Sequence, residues 1–107
     1  MAKSNKRVAG PQLVTNAAAT IYTVPANTKA VIRKIHVVNT SASAVPFFAS
    51  IGADAAATRI ADGLSVPADD YIDIDGPFTL EETEILQAYG GTTNVLAVTV
   101  DADVHTL

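Results

Sequence analysis

Residues 20–39, with the sequence TIYTVPANTKAVIRKIHVVN, decide the fold class. Two runs rich in β-branched residues, 20–24 and 29–39, flank the segment 25–28, which has the composition of a turn. In the second run, alternation predicts one face with Val31, Arg33, Ile35 and Val37 and another with Ile32, Lys34, His36 and Val38. Both faces are mainly apolar, so we expect this strand to be covered on both sides.

Similar short runs recur along the rest of the chain. They predict strands over residues 12–15, 45–51, 58–61, 71–75, 84–89 and 95–100, a segment 78–80 that leads into a turn, and a last extended piece over residues 102–107. Residues 62–63 and 66–70 have the composition of turns. The sequence therefore predicts an all-β fold: a single antiparallel β-sandwich of about eight strands, of jelly-roll or immunoglobulin-like type, with a small barrel as the alternative.

The 107 residues are enough for one domain, which we assign to residues 11–107. Residues 1–10 contain Lys3, Lys6 and Arg7, no acidic residue, and only Val8 as a large apolar residue beyond Met1. Such a segment has too little apolar content to fold alone. We expect it to be an extended basic arm that docks on an acidic surface of a neighbouring copy or of a shell protein.

Charge is distributed unevenly along the chain. Residues 1–34 carry six basic groups and no acid, whereas residues 35–107 carry all eleven acids and one basic group, Arg59. This asymmetry favours a second copy or an acidic protein as the partner, against the alternative of a solvated surface. The acidic remainder argues against nucleic acid. Without a long apolar run we expect no membrane span and no secretory signal, and synthesis in the cytoplasm.

The sequence offers little for catalysis or cofactor binding. It has no cysteine and two histidines, His36 and His105. Its densest acidic segment resembles a calcium loop at four positions, but Tyr71 stands where the first carboxylate belongs. Other calcium sites, and a pair of glycosidase carboxylates, remain alternatives for the acids Asp69, Asp70, Asp73, Asp75 and Glu82. We expect no catalytic residue, no metal site and no cofactor.

Protein contacts are the more promising kind of site. Phe47 and Phe48 point to opposite faces of a predicted strand, so we expect one in the core and the other at an interface. We expect copies to associate through a sheet face or edge that includes part of residues 29–39 or 45–51. The candidate interface residues are Lys3, Lys6, Arg7, Arg33, Lys34, Phe47 and Phe48.

Three segments carry a resemblance to a known group of proteins. They are residues 21–33 (IYTVPANTKAVIR), residues 38–41 (VNTS) and residues 78–81 (FTLE). Over roughly residues 20–100 the chain resembles the small β-sandwich accessory proteins of tailed-bacteriophage virions. The shared signatures are turns and strands, and the family has no catalytic residues to carry over.

The resemblance implies a non-enzymatic virion protein, foremost a capsid cement or decoration protein on the head surface. We expect a homo-oligomer, a trimer at three-fold positions, that binds the assembled major capsid protein and stabilises it by mass action. The alternatives are a phage neck or tail accessory protein and a calcium-dependent carbohydrate- or receptor-binding module.

Overall fold

The structure is a computed structural model that describes residues 2–107, with the side chains of residues 3–107. In this part of the chain all regular structure is β-strand. The strands are β1 (Ala2–Leu13), β2 (Ala19–Thr23), β3 (Thr28–Asn39), β4 (Val45–Ile51), β5 (Arg59–Val66), β6 (Tyr71–Leu80), β7 (Ile85–Gly90) and β8 (Leu96–Thr106). No helix able to span a membrane occurs in residues 2–107.

The strands form two four-stranded antiparallel sheets. Sheet A has the order β1-β8-β3-β6, and sheet B has the order β2-β7-β4-β5. The pairings are nested, because β4 pairs with β5, β3 with β6, β2 with β7 and β1 with β8. A hairpin folded over itself in this way is a jelly roll. The predicted all-β sandwich is therefore confirmed, and of its two predicted types the connectivity is the jelly roll.

The core lies between the sheets and is built from small and branched side chains. Six of its 20 buried hydrophobic residues are alanine, and Phe47 is the largest side chain among those that are fully buried. The smallest dimension of the molecule is 18 Å, which corresponds to two layers about 10 Å apart plus the outward side chains. With so thin a core, each sheet keeps a broad outer face.

A β-bulge at Arg33 changes which side chains of β3 are buried. Ile32 and Lys34 face consecutive residues of β8, so Arg33 is an extra residue and the alternation changes phase there. The fully buried set is therefore Ala30, Ile32, Ile35 and Val37. The other face, with Val31, His36 and Val38, is only half-buried. The expectation of two covered faces was wrong.

The N-terminal segment is part of the sandwich. β1 pairs with β8 from Ala2 opposite Thr106 to Leu13 opposite Ala97. The predicted boundary between an arm at residues 1–10 and a domain at residues 11–107 therefore does not appear in the described residues, and Met1 lies outside them. A polar strand is stable here because β8 supplies its backbone partners while the side chains of residues 3–7 remain exposed to water.

Two predicted breaks between strands are also absent. Residues 62–63, predicted to form a turn, lie inside β5, and residues 71–75 and 78–80 belong to the single strand β6. In both strands the pairing register shifts near the predicted break, so the glycines accompany bulges and not chain reversals.

Candidate interaction surfaces

A buried carboxylate joins three strands on the outer face of sheet A. The Arg33 Nε donates to Asp103 Oδ2 at 2.6 Å and the Asn5 Nδ2 donates to Asp103 Oδ1 at 2.9 Å. Lys3 Nζ lies 3.9 Å from the same carboxylate. The hydrogen bonds from Asn5 and Arg33 hold the pKa of Asp103 below its usual range, because they favour the charged form. Lys3 and Arg33, predicted to contact a partner, thus bind a carboxylate of their own chain.

A second set of pairs links β3 to β6 on the same face. Lys34 Nζ lies 4.0 Å from Asp75 Oδ1, and the His36 Nδ1 contacts Asp73 Oδ1 at 2.5 Å. The His36 ring also lies beside the ring of Tyr71, with 5.0 Å between centroids. Lys34 therefore neutralises an acid of its own chain, while about half of its side chain stays accessible.

The acidic residues of residues 69–82 do not form a common site. Tyr71–Leu80 is a strand, so the segment is not a calcium loop. The Asp70 carboxylate accepts a hydrogen bond from the Tyr71 N–H, and the Glu82 carboxylate accepts one from the Asn27 N–H. Within residues 2–107 no group of three or more metal-ligating side chains converges.

Lys6 and Arg7 border an open cleft at the edge of the sandwich. The cleft has a volume of about 330 Å³ and lies between the first half of β1, the end of β8 and the end of β2. Its other lining residues are Val8, Tyr22, Pro25, Thr28, Val104 and Thr106. Burial raises the pKa of the Tyr22 phenol. Within the described part of the chain neither cation forms an ion pair, so this cleft can receive a carboxylate beside apolar groups.

The two phenylalanines of β4 do lie on opposite faces. Phe47 is fully buried in the core, and Phe48 is half-buried on the outer face of sheet B. The ring of Phe48 stacks on Tyr89 at 4.5 Å between centroids, and the Arg59 guanidinium lies 5.1 Å from its centre. Phe48 is thus already covered by two side chains of its own subunit.

Arg59 organises the outer face of sheet B. It donates twice to Asp54, at 3.0 and 3.2 Å, once to Asp62 at 2.7 Å and once to the Tyr89 hydroxyl at 3.0 Å. The hydrogen bond from Arg59 lowers the pKa of Asp54, and burial raises that of the Tyr89 phenol. Sequence analysis missed this group, although Arg59 is the only basic residue after Lys34. Because the Arg59 guanidinium is paired with groups of its own chain, we interpret this network as structural.

The strand order restricts where copies can meet edge to edge. β3 lies between β8 and β6, and β4 lies between β7 and β5, so neither strand has a free edge. The edge part of the predicted contact through residues 29–39 or 45–51 was wrong, and only the faces of these strands are open to a partner. The free edges belong to β1 and β6 in sheet A and to β2 and β5 in sheet B.

Comparison with known proteins identifies a neighbour in fold. No protein-family model matches the sequence, and no curated protein matches it. A solved structure from the Bacillus endospore appendages, described as a novel family of disulfide-linked pili, superposes with a TM-score of 0.58 at 13% sequence identity. The match covers 98% of this chain and 88% of that one. The similarity is one of fold, and this chain contains no cysteine with which to form a disulfide.

Proposed function

We propose that the protein is a non-enzymatic structural protein of a virion, a cement or decoration protein that binds an assembled phage head in several copies. Its resemblance to phage accessory proteins supplies the setting, and the jelly roll is a fold found among viral capsid proteins. Decoration stabilises a shell when the protein binds the assembled lattice and not free shell subunits.

The observation that carries this proposal is the cleft at Lys6 and Arg7. The other candidate basic residues, Lys3, Arg33 and Lys34, lie within 4.0 Å of carboxylates of their own chain, whereas these two cations do not. An acidic segment of the shell protein, with an apolar side chain beside Val8 and Tyr22, is the partner that such a cleft fits.

Purified particles test the proposal. Particles that lack the protein should bind it when it is added back, in a fixed number of copies on the head surface, and should then withstand heating better. Disassembled shell subunits should not bind. Lys6→Glu should reduce occupancy about tenfold, since it places a like charge against the acidic partner. Lys29→Glu makes the same charge change outside the cleft and should bind as the wild type does.

Particle analysis also separates the alternatives. A few copies at one vertex would assign the protein to the neck or tail. Binding to a glycan that disappears on calcium removal would support the carbohydrate-binding module. Absence from purified particles would reject the virion assignment.

A second candidate is a subunit of a filament without disulfides. It is favoured by the fold similarity to the pilus protein, which covers nearly all of this chain. Purified particles distinguish the two, because a decoration protein should occupy the head surface in many copies, whereas a filament subunit should be absent from it.

A further inference from the structure

The two edge strands of sheet A carry opposite charge. β1 contains Lys3, Lys6 and Arg7 and no acidic residue. β6 contains Asp73 and Asp75 and no basic residue. Because these strands lie at opposite edges of one sheet, the charge polarity of the sequence becomes a polarity across the molecule.

The strand directions allow these edges to meet between copies. Sheet A has four strands, and each neighbouring pair is antiparallel. With an even number of alternating strands, β1 and β6 run in opposite directions. A second copy set beside this edge, and rotated by the twist that accumulates across the four strands, therefore brings its β6 alongside β1 of the first copy in antiparallel orientation.

One row of residues across sheet A alternates in charge. Asp101 of β8 is the partner of both Arg7 and Lys34, and Lys34 is also the partner of Asp75. The row thus reads positive, negative, positive, negative and ends in opposite charges at the two edges. A second copy at the same level continues the alternation, with its Asp75 beside Arg7.

A second row on the same face ends in apolar residues. Ala97 is the partner of Leu13 and Val38, and Val38 is the partner of Tyr71. Leu13 is 50% exposed and Tyr71 is 55% exposed, which makes them two of the four large exposed hydrophobic residues in the described chain. A neighbouring copy at the same level would bring Tyr71 against Leu13 and remove both from water.

The two contacts form in one alignment. The rows are four residues apart on β8, from Ala97 to Asp101, and four residues apart on β6, from Tyr71 to Asp75. This spacing is about 13 Å along a strand. On β1 the two register shifts between Arg7 and Leu13 bring its two residues to the same levels. The apolar contact and the ion pair are thus compatible with each other.

We propose that copies of this protein associate side by side, the β1 edge of one against the β6 edge of the next, with Arg7 beside Asp75 and Leu13 beside Tyr71. The biological setting of this contact rests on the proposed function. Lys6 and Arg7 are adjacent on a strand and face opposite sides, so Arg7 is given to the next copy and Lys6 to the shell protein in the cleft.

Side chains carry the contact between copies, because Pro11 has no N–H to donate and the bulges of β1 interrupt a regular ladder. Since the two surfaces differ, the contact is head-to-tail and generates a ring or an open row.

Charge reversal of each edge tests the proposal on the isolated, full-length protein. Arg7→Glu places a like charge opposite Asp75 of the next copy, and Asp75→Lys places a like charge opposite Arg7. By sedimentation at low salt, each variant alone should self-associate about tenfold more weakly than the wild type. An equimolar mixture should recover wild-type association, because each variant then supplies the edge that the other lacks.

Matched controls keep this result specific. Lys29→Glu on an interior strand and Glu81→Lys in the turn after β6 make the same charge changes away from the contact. Both should associate as the wild type does, and circular dichroism should show all variants folded. A wild type that stays monomeric at about 1 mM, reversals no weaker than their controls, or a mixture that is not rescued would each overturn the proposal. None of these outcomes depends on particles, so failure here is distinct from failure of the virion assignment.

Discussion

The edge strands β1 and β6 occupy equivalent places in sheet A and differ in nearly everything else. β1 is basic, contains two register shifts against β8 and is bonded to a buried carboxylate through Asn5. β6 is acidic and pairs regularly from Tyr71 to Asp75, and its pairs with β3 lie at the surface. The difference shows that one edge is tied into the fold through a buried carboxylate, whereas the carboxylates of the other form their pairs at the surface.

The charge distribution of the sequence therefore has a spatial meaning. The six basic residues before position 35 include three on β1, and the acids of residues 69–75 lie on β6 or just before it. Because the jelly roll places these two strands at opposite edges of one sheet, a separation along the chain becomes a separation across the subunit.

Of the changes that test this comparison, removal of residues 1–8 should have the largest effect on stability. If β1 belongs to the sheet, the deletion strips most of the partner strand from the second half of β8 and exposes Val104. We expect a loss of about 4 kcal/mol or more in the free energy of unfolding, measured by urea denaturation. A removable arm would leave the denaturation midpoint unchanged, and that result would contradict the assignment of β1 to the sandwich.

A core substitution in β6 should cost somewhat less. Leu80 is fully buried, so Leu80→Ala should lower the free energy of unfolding by about 3 kcal/mol through lost burial and a cavity. Its exposed neighbour provides the control, since Thr79→Ala should change stability by less than about 0.5 kcal/mol. Equal effects of the two substitutions would mean that β6 does not face the core as described.

The carboxylate that ties β1 to the sheet should make stability depend on pH. The pKa of Asp103 is lower in the folded state than in the unfolded state, so its contribution is complete above the ordinary aspartate pKa. That contribution is lost as the pH falls from about 4 through the lower folded value. Asp103→Asn should lower the melting temperature by several degrees at pH 7 and flatten the decline below pH 4.

An exposed aspartate on the same strand is the control for this titration. Asp101→Asn should leave the acid-side decline in melting temperature as it is in the wild type, since Asp101 forms no ion pair within residues 2–107. If both variants flatten the decline equally, the acid sensitivity does not arise from the contact between Asp103, Asn5 and Arg33.

The smallest effect is expected at the acidic edge. Lys34 and Asp75 are 4.0 Å apart with exposed fractions of 48% and 74%. Asp75→Asn should therefore change the stability of the monomer by less than about 0.5 kcal/mol, measured at low protein concentration. The same substitution should weaken association at high concentration. That combination would show that the Asp75 charge contributes to the contact between copies and not to the stability of the monomer. A large loss of monomer stability would contradict this.

How far the fold could be predicted depends on how local its signals are. The alternation of Leu96, Val98 and Val100 made their strand predictable, since those residues face one layer without interruption. The bulge at Arg33 was not predictable, because it is defined by the partner strand and not by its own neighbours. Residues 2–11 of β1 were missed for a similar reason: their polar sequence has no alternation, and their order comes from β8.

The contacts that the candidate residues make within their own chain were not predictable from the sequence. The basic composition near the N-terminus indicated protein contacts, yet whether a cation binds Asp103 or stays unpaired follows from the sheet register. Phe47 and Phe48 were correctly expected on opposite faces, but the cover of Phe48 by Tyr89 and Arg59 comes from two other strands. These contacts depend on pairing between strands that are distant in the sequence, so local sequence patterns do not predict them.

Disulfide trapping between edges tests the central claim most directly. The chain has no cysteine, so Leu13→Cys and Tyr71→Cys each introduce a single thiol, and Arg7 and Asp75 remain to align the copies. Under mild oxidation an equimolar mixture should give a disulfide-linked heterodimer that neither variant forms with itself. Leu64→Cys, at another exposed position on an edge of sheet B, replaces Tyr71→Cys in the control mixture and should give only background. Heterodimer no more abundant than in that control would contradict the side-by-side contact of β1 and β6.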